Sequence, residues 1–460
     1  MSRRRHGARD PAAEGHRGLD RPRLARLHRA VDRDRGAVRD RDGRVAGPDG
    51  ALPVVRDALP LHREKGRGRV RPVAVTGLGV VSPFGTGVKA YWNGLSAGVC
   101  AIRPATLVDT EGFRCRIAAE VPDGIGGSPR RSRADRLALA AAREALEDAG
   151  LSRDERVEAA LVVGAVGGGM LEAEAWYWER FRGRRPASRL APGATLPFAH
   201  VEALGNALGL EGPRETLVTA CSSGAASLAL AADLIADGVV TAALAGGVDA
   251  LTRVCFMGFN ALKLLSAEPC RPFDRDRRGM SIGEGAAFVV LEDLERARAR
   301  EARIYAALAG HGMTTDAYHV TSPHPEGEGM VRAMKAALAR GRIAPAAVGY
   351  ANAHGTATPQ NDRIEARAIR EVFGAERLLI SSTKSMIGHT MAAAGALEAV
   401  ATVLTLVHEV VPPTAGLDTP DPDVAFDCVP RVAREAAVEY AISNSFGFGG
   451  QNVTLLFGRA

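Results

Sequence analysis

Beyond residue 70, the alternation of apolar and polar positions resolves the chain into short elements of two kinds. RADRLALAAAREALEDAG (133–150) repeats alanine and leucine at three- and four-residue intervals, the period of a helix with one buried face, and stops at Gly150. RPVAVTGLGVVSPFG, starting at Arg71, is an apolar run broken by glycines; it reads as a buried strand with AYWNGLSAG as the helix behind it. AALVVGAVGGG is a further strand running into a glycine loop. Strands alternate with helices from there to the C-terminus, which predicts an α/β chain of parallel sheets covered by helices.

Two segments repeat one another. GAASLALAADLIADGVV (224–240) and GALEAVATVLTLVHEVV (395–411) share length, opening glycine, apolar pattern and closing valines. Each follows a strand and a polar turn, TACSSG in one case and SSTKSMIGHTMAAA in the other. The first carries almost no charge, as expected of a helix buried all round. The pattern predicts a duplicated architecture whose two central helices pack together.

The turn before the first of these helices holds Cys221, where a β-branched run ends and an Ala-rich helix begins. A helix start carries unpaired N–H groups and partial positive charge, which favour thiolate over thiol. Taken alone, a buried inert cysteine is the ordinary reading. Two histidines change it: His354 in NAHGTAT and His389 in STKSMIGH each lie past an apolar run, where a strand should deliver them to the same sheet edge.

Composition bounds the rest. The 460 residues, 46% hydrophobic with 52 glycines and few aromatics, suit a large α/β core. No segment approaches the ~20 consecutive apolar residues that cross a bilayer, and the arginines at the start precede no apolar core of a secretory signal. Six cysteines lie scattered without C-x-x-C spacing, which argues against a zinc site or a disulfide scaffold and favours a reducing cytoplasm. The formal charge of +6 belongs entirely to residues 1–70, which are rich in Arg, Asp and Gly and lack a sustained period. They read as a disordered extension rather than a nucleic-acid-binding arm, because acids are interspersed and stacking aromatics are missing. The GLG near residue 78 fails the dinucleotide spacing.

The motifs VTGLGVVSPFG, TACSSG, RPFDRDRRGMSIGEGAAFVVLE, DAYHVTSPHPEG, NAHGTATPQNDRIEA, SSTKSMIGH and NSFGFGGQN occur in one order. In that order the chain resembles the elongating β-ketoacyl-acyl-carrier-protein synthases of the thiolase-like superfamily, over roughly residues 71–460. The resemblance implies a five-layered αβαβα fold from two duplicated halves, set here at 71–321 with the nucleophile and 322–460 with the histidines. It implies an acyltransferase that joins an acyl thioester to malonyl-acyl-carrier protein by decarboxylative Claisen condensation, in fatty-acid or polyketide-type synthesis. Cys221, His354 and His389 fall on its catalytic triad. Phe448 falls on an oxyanion and gating position, and Lys384 with Glu398 on a pair behind the histidines, where sequence alone would suggest a solvated lysine and a helix-face glutamate. Thr356 and Thr358 fall on residues that hold the phosphopantetheine arm, and Arg130, Arg131 and Lys263 near positions facing the acidic carrier protein. No metal or other cofactor is implied. A homodimer is expected, with a heterodimer beside a sibling subunit as the alternative, and neither nucleic acid nor membrane as partner.

A histidine at 389 favours decarboxylative elongation over thiolases and initiating synthases, which resemble the family but use other residues there. Cys221 sets the chain apart from chain-length-factor relatives, although a non-catalytic partner subunit stays as the alternative function. Asp362 and Glu365 share a helical face and read as structural, as do His311, His319, His324 and His408, which are either structural or exposed. The chain departs from the family pattern at Gln451, where threonine is common, and at MLEAEAWYWERFRGRRPASRLAPGATLP, which leaves the acyl chain open.

Overall fold

The computed structural model describes residues 72–460 apart from 129, 187–189, 191, 375–377 and 425; the expectation for residues 1–70 lies outside the described residues. Ten strands build the core: β1 (Val73–Ser82), β2 (Ala160–Ala165), β3 (Arg214–Leu217), β4 (Ala242–Asp249), β5 (Gly285–Asp293), β6 (Ala306–Thr315), β7 (Val348–Asn352), β8 (Leu379–Ser381), β9 (Tyr440–Gly447) and β10 (Gln451–Arg459). Six helices cover them: α1 (Arg133–Ala149), α2 (Pro197–Leu208), α3 (Ser223–Ala236), α4 (Glu328–Gly341), α5 (Pro359–Phe373) and α6 (Ala394–His408).

The predicted duplication appears as one topology used twice. The first five strands lie in the order β3-β2-β4-β5-β1 and the next five in the order β8-β7-β9-β10-β6. In each set the first three strands run parallel, and the last two are antiparallel to their neighbours. The all-parallel expectation therefore fails for β5, β1, β10 and β6. One of these pairs, β9 with β10, is joined by the three-residue turn Phe448–Gly450, too short for the crossover that parallel pairing requires. The sheets join through Val73–Val75 of β1 against Ala306–Leu308 of β6. Since β6 opens the second set, the halves divide between Asp293 and Ala306, upstream of the expected boundary at 321/322.

Burial yields five layers. Alternate residues of one strand face different clusters, as the two-residue strand period dictates. Val289 and Leu291 of β5 join a central cluster with α3 and α6, while Phe288 and Val290 join α1 and α2 on the outer face. On the second sheet Val453, Leu455 and Phe457 of β10 face the central helices, and Leu456 faces α4 and α5. Strands buried on both faces explain the unbroken apolar runs in the sequence.

The opening glycines of the repeated segments mark the closest approach of α3 and α6. A Cβ at Gly224 would lie 2.6 Å from the Ala392 carbonyl oxygen, and one at Gly395 2.6 Å from the Ala225 nitrogen. Together with the preceding turn, α6 makes an apolar helix, Met391–His408, long enough to cross a membrane. That corrects the expectation that no such segment exists. It is 89% buried and serves as the core.

Candidate active site

Cys221 stands on a 3-10 turn, Ala220–Ser222, between β3 and α3. The adjacent serines knit this turn: the Thr219 N–H donates to Ser223 Oγ at 2.9 Å, and the Ser223 and Ser222 hydroxyls donate to the Ala220 and Thr219 carbonyls at 2.7 Å. Ala220 is held at φ 50°, a left-handed conformation unusual for alanine. The Cys221 side chain is only 8% exposed, and burial pushes its thiol up to about 11. The Lys384 charge and a hydrogen bond from the Phe448 backbone pull the other way. Desolvation therefore outweighs the helix start, contrary to the thiolate expected from sequence.

His354 lies two residues past β7. Its N–H and that of Gly355 both donate to the buried Glu365 carboxylate at 2.8 Å. Asp362, one turn earlier on α5, accepts from Phe273 and Ala357 N–H groups. The two acids read as structural are thus the anchors of the histidine loop. Burial pushes both upward, Glu365 to about 7.

His389 follows the short helix Lys384–Ile387 rather than β8 directly. Its N–H donates to Ser281 O at 2.7 Å and its carbonyl accepts from Gly283 N–H at 2.9 Å, so main chain of the first half straps it in place. The two imidazoles meet edge to face, ring centres 5.3 Å apart and planes at 87°. Burial first, then the Lys384 charge, holds both well below the usual histidine range, so both are neutral at pH 7. Lys384 Nζ lies 3.4 Å from His354 Nδ1 and pairs with Glu398, with each side chain nearly inaccessible. A lysine donating to Nδ1 fixes the tautomer with the proton on Nε2. The His389 ring nitrogens have no hydrogen-bond partner among the described residues.

These side chains converge. Cys221, His354, His389, Thr356, Thr358 and Phe448 all line one cavity of about 270 Å³, whose apolar wall includes Phe259, Leu264, Met280 and Met330. Lys384 and Glu398 stand behind it. Thr356 and Thr358 hydroxyls lie 3.0 Å apart, and Thr358 also caps α5. Phe448 sits in the glycine turn with its ring 5.7 Å from Phe259. Lys263 is exposed on the turn next to Leu264 of the wall. Arg130 and Arg131 precede α1 and border a separate surface groove against α2, away from the cavity. Among the described residues no cluster of three or more His, Cys, Asp or Glu side chains is placed to hold a metal ion.

Sequence reasoning missed Asp316, which lines the cavity and ties Asn452 and the His324 N–H together at 2.7 and 2.9 Å. It also missed Asp249, whose partners are backbone N–H groups. Asp316 opens the DAYHVTSPHPEG motif, which could have flagged it; Asp249 lies in no motif, and its role depends on segments distant in sequence.

Residues 70–297 match the β-ketoacyl synthase N-terminal domain, and residues 305–418 the β-ketoacyl synthase C-terminal domain. The chain is 42% identical over 409 residues to the 3-oxoacyl-(acyl-carrier-protein) synthase 2 of Coxiella burnetii, covering 85% of this chain and 99% of that one. Among solved structures it resembles the ishigamide ketosynthase/chain length factor, with a TM-score of 0.80 and 38% identity over 85% of this chain and 99% of that one. It also resembles a type II polyketide synthase acyl-carrier protein in complex with its ketosynthase bound to the hexaketide, with a TM-score of 0.77 and 30% identity over 85% of this chain and 100% of that one.

Proposed function

The chain belongs to the β-ketoacyl synthase family, and we propose that Cys221, His354 and His389 carry out its reaction, the decarboxylative Claisen condensation of an acyl thioester with malonyl-acyl-carrier protein. Cys221 Sγ attacks the thioester carbonyl; the acyl–cysteine bond forms and the carrier thiol leaves with a proton. The malonyl thioester enters next. Its bond to the carboxylate breaks, carbon dioxide leaves, and the electron pair becomes an enolate on the remaining thioester.

Two neutral imidazoles meet the charge that develops there. Each donates a hydrogen bond to the enolate oxygen without first losing a proton to solvent, and Lys384 orients His354 for that task. The enolate carbon then attacks the acyl–cysteine carbonyl. N–H groups of Cys221 and Phe448 receive the oxyanion, and donors so fixed are worth about 10²–10³ in rate. The new carbon–carbon bond completes a 3-oxoacyl thioester, and the sulfur leaves to regain its proton.

The observation that carries this reading is that nucleophile and both histidines line one cavity. Thr356 and Thr358, on the same wall, would hold the phosphopantetheine arm that delivers substrate, and the exposed Lys263 beside the mouth would meet an acidic carrier surface. Arg130 and Arg131, which border a separate surface groove, are the further candidates for that acidic surface. The chemistry as read here uses the chain's own side chains and backbone N–H groups and calls on no other cofactor. Six free cysteines suit a cytoplasmic setting. The assembly is read as a homodimer; relatives solved as ketosynthase with chain length factor make a heterodimer the alternative, and size-exclusion analysis with and without a sibling subunit separates them.

Intact mass after incubation with acyl-carrier thioesters tests the nucleophile. The parent gains one acyl group. Cys221→Ala gains none and loses condensation, while malonyl decarboxylation persists because the histidines remain. Condensation by Cys221→Ala at the parental rate would refute the assignment.

A further inference from the structure

The two halves use the same turn for two purposes. Ahead of α3 the 3-10 turn Ala220–Ser222 carries Cys221; ahead of α6 the 3-10 turn Met391–Ala393 carries Ala392 in the matching place. Both turns begin with a left-handed non-glycine residue, Ala220 at φ 50° and Met391 at φ 53°. β4 and β9, eight residues each, end beside these turns, and matching them residue for residue sets Gly447 against Asp249.

That one difference decides what each turn's N–H can do. Asp249 is 2% exposed and has no cationic partner among the described residues. Its Oδ2 accepts the Ala392 N–H at 2.8 Å, across the seam between the halves. Its Oδ1 accepts from Gly167, Gly168 and Val166 at 2.7, 3.2 and 3.3 Å. On the other side, a Cβ at Gly447 would lie 3.2 Å from the Cys221 nitrogen. Glycine there leaves the Cys221 N–H open to a substrate oxygen, whereas the carboxylate closes the Ala392 N–H permanently.

The closed turn directly follows His389. Left-handed Met391 is a strained conformation that persists only where its surroundings hold it, and the Asp249 carboxylate is the only side-chain acceptor on that turn's N–H groups among the described residues. We propose that Asp249 is a positioning residue for the condensation, fixing His389 relative to Cys221 by bonding the turn Met391–Ala393 from the first half of the chain. The inference rests on the reading of His389 as an enolate donor.

Asp249→Asn separates the two sides of the carboxylate. Its single carbonyl oxygen satisfies the three loop N–H groups, and its amide NH₂ then faces the Ala392 N–H, donor against donor. Two rates are measured on the full chain: acylation of Cys221 by intact mass, and decarboxylation of malonyl-carrier thioester without primer. Acylation is expected to stay within about threefold of the parent while kcat for decarboxylation falls about tenfold to a hundredfold, with KM little changed. Unchanged decarboxylation overturns the proposal, and so does a proportional fall in both rates, which would mark a purely structural role. Should Asp249→Asn fail to fold, replacing Ala392 by its α-hydroxy analogue deletes the N–H alone, and the same two rates decide. A parent enzyme that acylates Cys221 but never decarboxylates would instead refute the reading of the histidines.

Discussion

Gly224→Ala sets helix propensity against the architecture. In an ordinary helix interior the change stabilises by about 1 kcal/mol. Here the added carbon would stand 2.6 Å from the Ala392 carbonyl oxygen, 2.9 Å from the Ala396 nitrogen and 3.2 Å from the Ala396 Cβ. The first two are backbone atoms, so α3 and α6 must separate by roughly half an ångström, an overpacking strain of about 1–3 kcal/mol. The balance runs from about zero to 2 kcal/mol destabilising, the reverse of propensity. Separation also moves Cys221 away from the turn after His389, because both precede the crossing by a few residues, and displacements approaching 1 Å cost about 10²-fold in rate. Gly258 is the control: it lies inside the exposed helix Arg253–Ala261 with open space around a Cβ. Thermal melts and condensation rates of both variants decide. Gly258→Ala should melt slightly higher and keep full activity, while Gly224→Ala should melt at or below the parent and lose at least about tenfold in kcat. A Gly224→Ala enzyme that gains stability and retains its rate would show that the crossing is not close-packed.

Two other outcomes follow from the buried charges. Because burial raises the Cys221 thiol to about 11, its alkylation by iodoacetamide, followed on the Cys221 peptide, should climb about tenfold per pH unit from about pH 7 to about 10; a plateau near neutrality would contradict the raised value. Lys384→Met leaves the Glu398 carboxylate buried without its cation, and Glu398→Met strands the ammonium. Each should cost about 3–5 kcal/mol, with the double variant well short of the sum; single losses under about 1 kcal/mol, as at a solvent-exposed pair, would refute the buried geometry.

What the sequence made legible was whatever repeats or depends on near neighbours. The twin helices could be matched because both are largely buried and nearly uncharged, with Asp233 of α3 paired to Arg340 and Glu398 of α6 to Lys384. Cys221, His354 and His389 stood out because each ends a local apolar run, and the cavity gathers all three. The thiol's electrostatics were not legible: the helix start is local, but the desolvation that outweighs it belongs to the folded cavity, whose walls come from several separate segments of the chain. Strand direction was hidden for a similar reason, since antiparallel β5 and β10 carry the same continuous apolar runs as their parallel neighbours when both faces are covered.

Asp249 is the strongest case. Its four hydrogen bonds all go to main-chain N–H groups, which every sequence possesses and none advertises. Only the folded duplication makes its role readable, by setting it against Gly447 at the equivalent strand end. One half keeps an acceptor and gains a rigid turn for a histidine; the other gives it up and gains an open donor beside a nucleophile. On this argument the difference between an open and a closed turn N–H arises at a single position of a doubled scaffold, so Gly447→Asp should occupy the Cys221 N–H and block acylation, read by intact mass, while leaving the fold intact.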